Sequence, residues 1–176
     1  MSHQILVPDY LWVRLQALAT PLVDTEITVL EKLMDSYDRE HASNNPETDL
    51  ELDPERPQSL THTRVDSAKF CGQTATNWNE LVYVAHRVAF QSAGSFAALR
   101  SITRANIAQG IRTNSGYHPI AEIGISIQNV DSNQAWRNVL HLAKNLKGDV
   151  EVRVRWRDKE GAVHPGKSAV MRWSAV

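Results

Sequence analysis

Apolar and polar positions divide the 176-residue chain into a front block and a back block with different rhythms. In the front block, residues 3–7 (His-Gln-Ile-Leu-Val) form a short strand candidate, and Pro8-Asp9 opens a helix. Proline suits a first helical turn, because the N–H it lacks would be unpaired there anyway. Leu11, Leu15 and Leu18 recur at helical spacing, so this helix is expected to reach about Ala19, where Thr20-Pro21 ends it. Asp24 or Thr25 can cap a second helix whose apolar face is Ile27, Leu30, Leu33, Met34 and Tyr37. One strand and two helices in about 37 residues cannot enclose a core alone, and the strand has two open edges. The simplest remedy is a homodimer or higher homo-oligomer in which two strands pair, the ribbon-helix-helix arrangement. Its joining residues would be Ile5, Leu6, Val7, Leu11 and Leu15 at the front, with Ile27, Leu30, Leu33 and Met34 from the second helix.

In the back block, Thr63–Phe70 is a strand candidate, Asn77 can cap a helix to about Ser92, and Gly94-Ser95 separates it from a shorter helix around Phe96–Ile102. Asn114-Ser115-Gly116 is a turn signal. Tyr117–Gln128 is extended with a kink at 122–124, and Asp131-Ser132-Asn133-Gln134 has the form of a capping box for a helix that Gly148 stops. Val150–Arg157 is the cleanest strand, with Val150, Val152, Val154 and Trp156 on one face and Glu151, Arg153, Arg155 and Arg157 on the other. A last strand follows at Ala169–Trp173. Between the blocks, residues 40–60 carry three prolines and five acids from Glu47 to Glu55, the composition of a hydrated, flexible linker. The predicted organisation is α+β: an oligomerisation module at 1–39, an acidic linker at 40–60, and a mixed domain with a small, mainly antiparallel sheet at 61–176.

Charge sharpens this division. Residues 1–60 hold four Lys/Arg against twelve Asp/Glu, a net of −8, while residues 61–176 hold fifteen against eight, a net of +7. Opposed halves suggest modules with different partners. No run of about 18 apolar residues exists to span a membrane. The start is unlike a signal peptide, and one cysteine, Cys71, allows neither an internal disulfide framework nor a Cys-rich zinc module. The expected location is the cytoplasm, without a membrane partner and without a cofactor. The histidines stand at no metal-ligand spacing, so no metal site is predicted.

The strongest chemical signal is the arginine face of the 150–157 strand. Alternation places Arg153, Arg155 and Arg157 roughly 7 Å apart, near the spacing of phosphates along one strand, and Arg172 can extend the stripe. The competing reading is a solvated strand kept soluble by charge. Loop 112–118 gathers Arg112, Asn114, Ser115, Gly116 and Tyr117, a mixture suited to backbone contact plus stacking on a base, or to an ordinary turn with Tyr117 on the core. Lys167, in the His164–Lys167 loop, could neutralise a phosphate or simply cover surface. Asp131 with Glu151-Val152-Arg153 faintly suggests a magnesium-dependent nuclease, although Arg stands where Lys is expected and Asp131 also reads as a helix cap.

Residues Ile5–Ser36 resemble the N-terminal oligomerisation domain of the negative modulator of replication initiation (SeqA) family. The shared features are Ile5-x-Val7-x-Asp9-x-Leu11, Trp12, Leu15 and Val29-Leu30-x-x-Leu33-Met34. The resemblance implies that this segment joins protomers and that a linker leads to a domain binding hemimethylated duplex DNA. Thr63-Arg64-Val65 is similar to the first strand of that domain, and Asn129, after Ser126-Ile127-Gln128, matches a loop whose Asn residues read the methylated site. In ribbon-helix-helix repressors the strand itself enters the major groove. Here Gln4 and Leu6 would face outward and neither is cationic, so the front module is assigned to self-association. The expected function is an oligomeric DNA-binding protein acting in replication, transcription or DNA processing, with no enzymatic activity. The alternatives are an adaptor or antitoxin-like module docking a protein of a DNA-processing system, and the nuclease.

Overall fold

Residues 6–19, 25–41 and 49–175 are described in the computed structural model, which divides the chain into two units, Met1–Asn44 and Asn45–Val176. The first unit contains helices α1 (Asp9–Leu18) and α2 (Glu26–His41). Pro8 stands just ahead of α1, and its carbonyl accepts from the Leu11 and Trp12 amides. Thr25 opens α2: its hydroxyl accepts from the Thr28 N–H at 3.3 Å, and its carbonyl accepts from the Thr28 hydroxyl at 2.8 Å. Leu6 and Val7 are in no strand. Ile5, the rest of the expected ribbon, and the Thr20-Pro21 stop lie outside the described residues.

The second unit is α+β. Its strands are β1 (Leu50–Glu51), β2 (Thr63–Phe70), β3 (Gln73–Ala75), β4 (Ile107–Gln109), β5 (Tyr117–Ile120), β6 (Ile125–Gln128), β7 (Val150–Trp156) and β8 (Ser168–Trp173). Its helices are α3 (Trp78–Ala93), α4 (Phe96–Ile102) and α5 (Ser132–Leu146). The large sheet has the order β1-β8-β7-β2-β3 and is antiparallel except where β1 runs parallel to β8. The small sheet is antiparallel, in the order β4-β6-β5.

Alternation along β7 decides which face is inside. Val150, Val152, Val154 and Trp156 are buried against the layer of α3 and α5, joined by Phe70 and Ala68 from β2 and Met171 from β8. Strict alternation along β2 would not let Val65, Ala68 and Phe70 all face inward, because Val65 and Ala68 are three apart. A bulge between Val65 and Ser67 absorbs the extra residue, Asp66, and restores register with β7. Asn77 caps α3 by accepting from the Glu80 amide, and Asp131 caps α5 by accepting from those of Asn133 and Gln134. Gly148 does not itself take the left-handed turn that ends α5. Lys147 does so, at φ 51°, and the Gly148 amide bonds back to the Ala143 carbonyl.

The linker expected over 40–60 requires correction. Residues 40 and 41 still belong to α2, and residues 49–60 are packed into the second unit. Leu50–Glu51 adds an edge strand to the large sheet, Leu52 packs on the core, and Leu60 is fully buried. Trp136 Nε1 donates to the Pro54 carbonyl, Trp156 Nε1 to the Ser59 carbonyl, and the Leu60 amide to Asn133 Oδ1. The acidic, proline-containing composition reads as a hydrated, flexible linker, but the carboxylates here meet cations from β7, β8 and α5. Counted over Asn45–Val176, sixteen Lys/Arg stand against thirteen Asp/Glu, so the unit's net charge is +3 rather than +7.

Gly148 is required for a reason outside its own backbone. The β2–β3 hairpin turns at Cys71-Gly72, both at positive φ, and the Cys71 amide bonds to the Asp149 carbonyl. A Cβ on Gly148 would overlap Cys71 Sγ. Gly148→Ala is expected to destabilise the protein by about 1–3 kcal/mol through overpacking. Adding Cys71→Ala should recover much of that loss in a double-mutant cycle followed by urea unfolding; additive losses would contradict this account. Among the described residues, no helix is long and apolar enough to cross a membrane.

Candidate nucleic-acid interface

Two places gather the residues singled out by sequence. The first is the outer face of the large sheet. Arg64, Arg153, Arg155 and Arg172 share it, as the register requires, since Arg64 lies opposite Arg155 and Arg172 opposite Glu151. They do not form an open cationic stripe. Arg153 Nε lies 2.6 Å from Asp49 Oδ2, and Arg155 Nε donates to Asp66 Oδ2 at 3.2 Å. Arg64 Nε is 3.5 Å from Asp66 Oδ1. Arg172 Nε donates to Glu151 Oε2 at 3.0 Å and reaches Glu51 at 3.6 Å. The expected free arginine face is therefore corrected to a ladder of alternating charge.

Asp66 pairs with two arginines because the bulge presents it outward beside Arg64. The side chains of Asp49 and Asp66 are 7% and 8% exposed, so these carboxylates are sunk into the ladder rather than resting on it. Arg157, exposed at the end of β7, holds the chain through its amide to the His62 carbonyl. Lys167 accepts the Trp156 amide at its carbonyl and exposes its side chain on the loop before β8.

The second place is the end of the small sheet. A tight turn at Asn114–Tyr117, closed by the Tyr117 amide on the Asn114 carbonyl, needs two left-handed residues, Ser115 at φ 53° and Gly116 at φ 74°. Tyr117 pairs with Gln128 across β5–β6, which brings the turn against the end of β6. There the Asn129 amide bonds to the Gly116 carbonyl, and Gln128 Nε2 donates to the Ser115 carbonyl. Arg112 lies over the Tyr117 ring, 5.9 Å from its centroid, as a cation–π pair. Ser126, buried in β6, fixes the approach of Arg112 by accepting its backbone N–H and donating to the Gly110 carbonyl. Asn129 thus joins Arg112, Asn114 and Tyr117, which one loop already holds together.

Sequence reading placed the helix that backs this cluster but missed the part Tyr83 plays in it. Tyr83 of α3 donates its hydroxyl to Asn129 Oδ1 at 2.7 Å, and its ring stands 6.5 Å from that of His118. Burial pushes the Tyr83 phenol upward, so it remains the donor. Beside it opens a groove of about 240 Å³ lined by Glu80, Tyr83, Arg87, Pro119, Ile120 and Glu122, with Arg87 3.5 Å from Glu122. The available signal was the i, i+4 spacing of Tyr83 and Arg87 on a helix otherwise turned inward by Leu81, Val84 and Ala85.

The residues of the nuclease alternative have other work. Asp131 caps α5, and Glu151 pairs with Arg172. No group of three or more potential metal-ligating side chains occurs among the described residues. Comparison with protein-family models, with curated proteins and with solved structures finds no match.

Proposed function

We propose that this chain is an oligomeric protein that binds duplex DNA, with the second unit making the contact and the first joining copies. The observation that carries the proposal is the convergence of Arg112, Asn114, Tyr117 and Asn129 on one exposed end of the small sheet. Arg112 supplies a phosphate ligand held in place by Tyr117. Because Asn129 Oδ1 is taken by Tyr83, its amide nitrogen is the group offered to a base edge or phosphate. The SeqA-like features of Ile5–Ser36 and of Asn129 favour a role in replication control and a methylated target. A cytoplasmic location follows from that role.

The test is retardation of a short DNA duplex at two salt concentrations, with unmodified, hemimethylated and fully methylated versions. Binding should weaken steeply as salt rises. Arg112→Ala combined with Asn129→Ala should reduce affinity about tenfold to a hundredfold, one to two contacts' worth. No binding at low salt, or full affinity in the double variant, would sink the proposal. One observation favours a second reading, an adaptor for an acidic protein: the arginines of the outer face already accept carboxylates.

A further inference from the structure

We infer that the acidic edge segment Asp49–Glu55 is a built-in competitor for nucleic acid, covering cations that duplex DNA would otherwise engage. This rests on the DNA-binding proposal above and adds a regulatory step to it. Acids at 49, 51, 53 and 55 alternate with Leu50, Leu52 and Pro54, and an extended chain places alternate side chains on one face. Asp49 meets Arg153, Glu51 meets Arg172, and Glu55 pairs with Lys144. Three cations from three separate elements are neutralised by seven consecutive residues. Arg153 and Arg172 share the outer face as diagonal neighbours, since Arg172 lies opposite Glu151 and Arg153 opposite Val170.

The segment is attached unevenly. At its far end it is fixed: Trp136 holds the Pro54 carbonyl, Asp53 Oδ1 accepts from the Glu55 amide, and the Arg56 amide bonds to the Asp53 carbonyl. Its leading end is an edge strand of two residues, Leu50 and Glu51, both exposed and paired on one side alone, to β8. The Asp49–Arg153 ion pair lacks directional bonding: Asp49 Oδ2 and Arg153 Nε are both buried without a correctly oriented hydrogen bond. Attraction between them is Coulombic, and phosphate oxygens can replace it in kind. Lifting residues 49–52 about the Pro54 anchor would break the Leu52 N–H bond to the Val170 carbonyl, withdraw Leu52 from the core, uncover Arg153 and leave Arg172 with Glu151 as its carboxylate partner.

The test compares the full-length protein with Asp49→Asn/Glu51→Gln/Glu55→Gln on one mixed-sequence duplex. The triple variant should bind about tenfold more tightly, and its log–log salt slope should steepen by about one to two, chiefly from Arg153 and the partly released Arg172. Glu51→Gln/Glu55→Gln, which alters two exposed carboxylates and leaves the sunken Asp49 intact, should show a smaller gain in the same direction, and it guards against misfolding of the triple variant. In the wild type, adding the duplex should speed hydrogen exchange at the Leu52 amide. If the wild type binds DNA and neither variant binds tighter, the competitor is overturned while the DNA reading stands. If no form binds at low salt, both fall.

Discussion

Leu30→Asp combined with Met34→Asp is expected to weaken the self-association proposed for the first unit about a thousandfold. The expectation comes from what the first unit leaves uncovered. Of its described large apolar residues, Val29 alone is buried, whereas Leu6, Tyr10, Val13, Ile27, Leu30, Met34 and Tyr37 are exposed. Helices of 10 and 16 residues cannot enclose a core between them. Ile27, Leu30, Met34 and Tyr37 recur at three- and four-residue intervals along α2, so they form one stripe. A second copy of the same stripe is the occupant proposed for it. Each truncated or charged anchor at the centre of such an interface costs about 2 kcal/mol or more, which sets the magnitude. Sedimentation equilibrium over a range of concentrations measures it. A wild type that stays monomeric, or a double variant that associates as before, would remove the first unit's proposed role. DNA affinity should fall with self-association, because linked copies gain avidity from a high effective concentration.

How much of this was legible in the sequence depended on whether the cause was local. The strands around Thr63–Phe70 and Val150–Trp156, the helix Phe96–Ile102, and the Asn77 and Asp131 caps could be read because period and capping chemistry reside in consecutive residues. The turn at Asn114–Gly116 was legible for the same reason, and with it the place where Arg112 and Tyr117 meet. What escaped was set by partners far along the chain. β1 is two residues long and reads as linker, because the arginines that receive its carboxylates are about a hundred positions away. Alternation put the arginines and Glu151 on one face, but it could not say that Asp49, Glu51 and Asp66 would share that face. Asp66 illustrates the point: its outward position beside Arg64 depends on a bulge that shows only in the pairing with β7. The contribution of Tyr83 was hidden because its neighbours on α3 belong to the core.

Acidification is expected to cost the second unit about 3 kcal/mol of stability between about pH 7 and about pH 4, because His86 is held neutral. The ring is fully buried in α3. Its Nδ1–H donates to the Val82 carbonyl at 2.7 Å, which leaves Nε2 to accept the Thr103 hydroxyl at 2.8 Å. Burial lowers its pKa to about 4, against a smaller opposing effect of the Val82 carbonyl. The sign follows directly. Below the ordinary value of 6.5 the unfolded chain takes up a proton that the folded chain refuses until about pH 4, so stability is complete above 6.5 and declines as pH falls toward 4. His141 acts in the same direction, lowered by burial and then by Arg104 and Lys144. Glu80, lowered chiefly by the Thr76 hydroxyl, adds a separate loss below its ordinary 4.5. Urea unfolding across this range should give the stated decline in the wild type, and His86→Gln, which retains a donor and an acceptor, should flatten most of it. A wild-type stability that does not fall on acidification would overturn the assignment. The consequence extends to the small sheet, because Thr103 also accepts the Ala105 amide at the step from α4 into β4. Protonation of His86 therefore loosens the root of the small sheet, and hydrogen exchange at Ile107–Gln109 should quicken at mildly acidic pH before the β2–β7 ladder does.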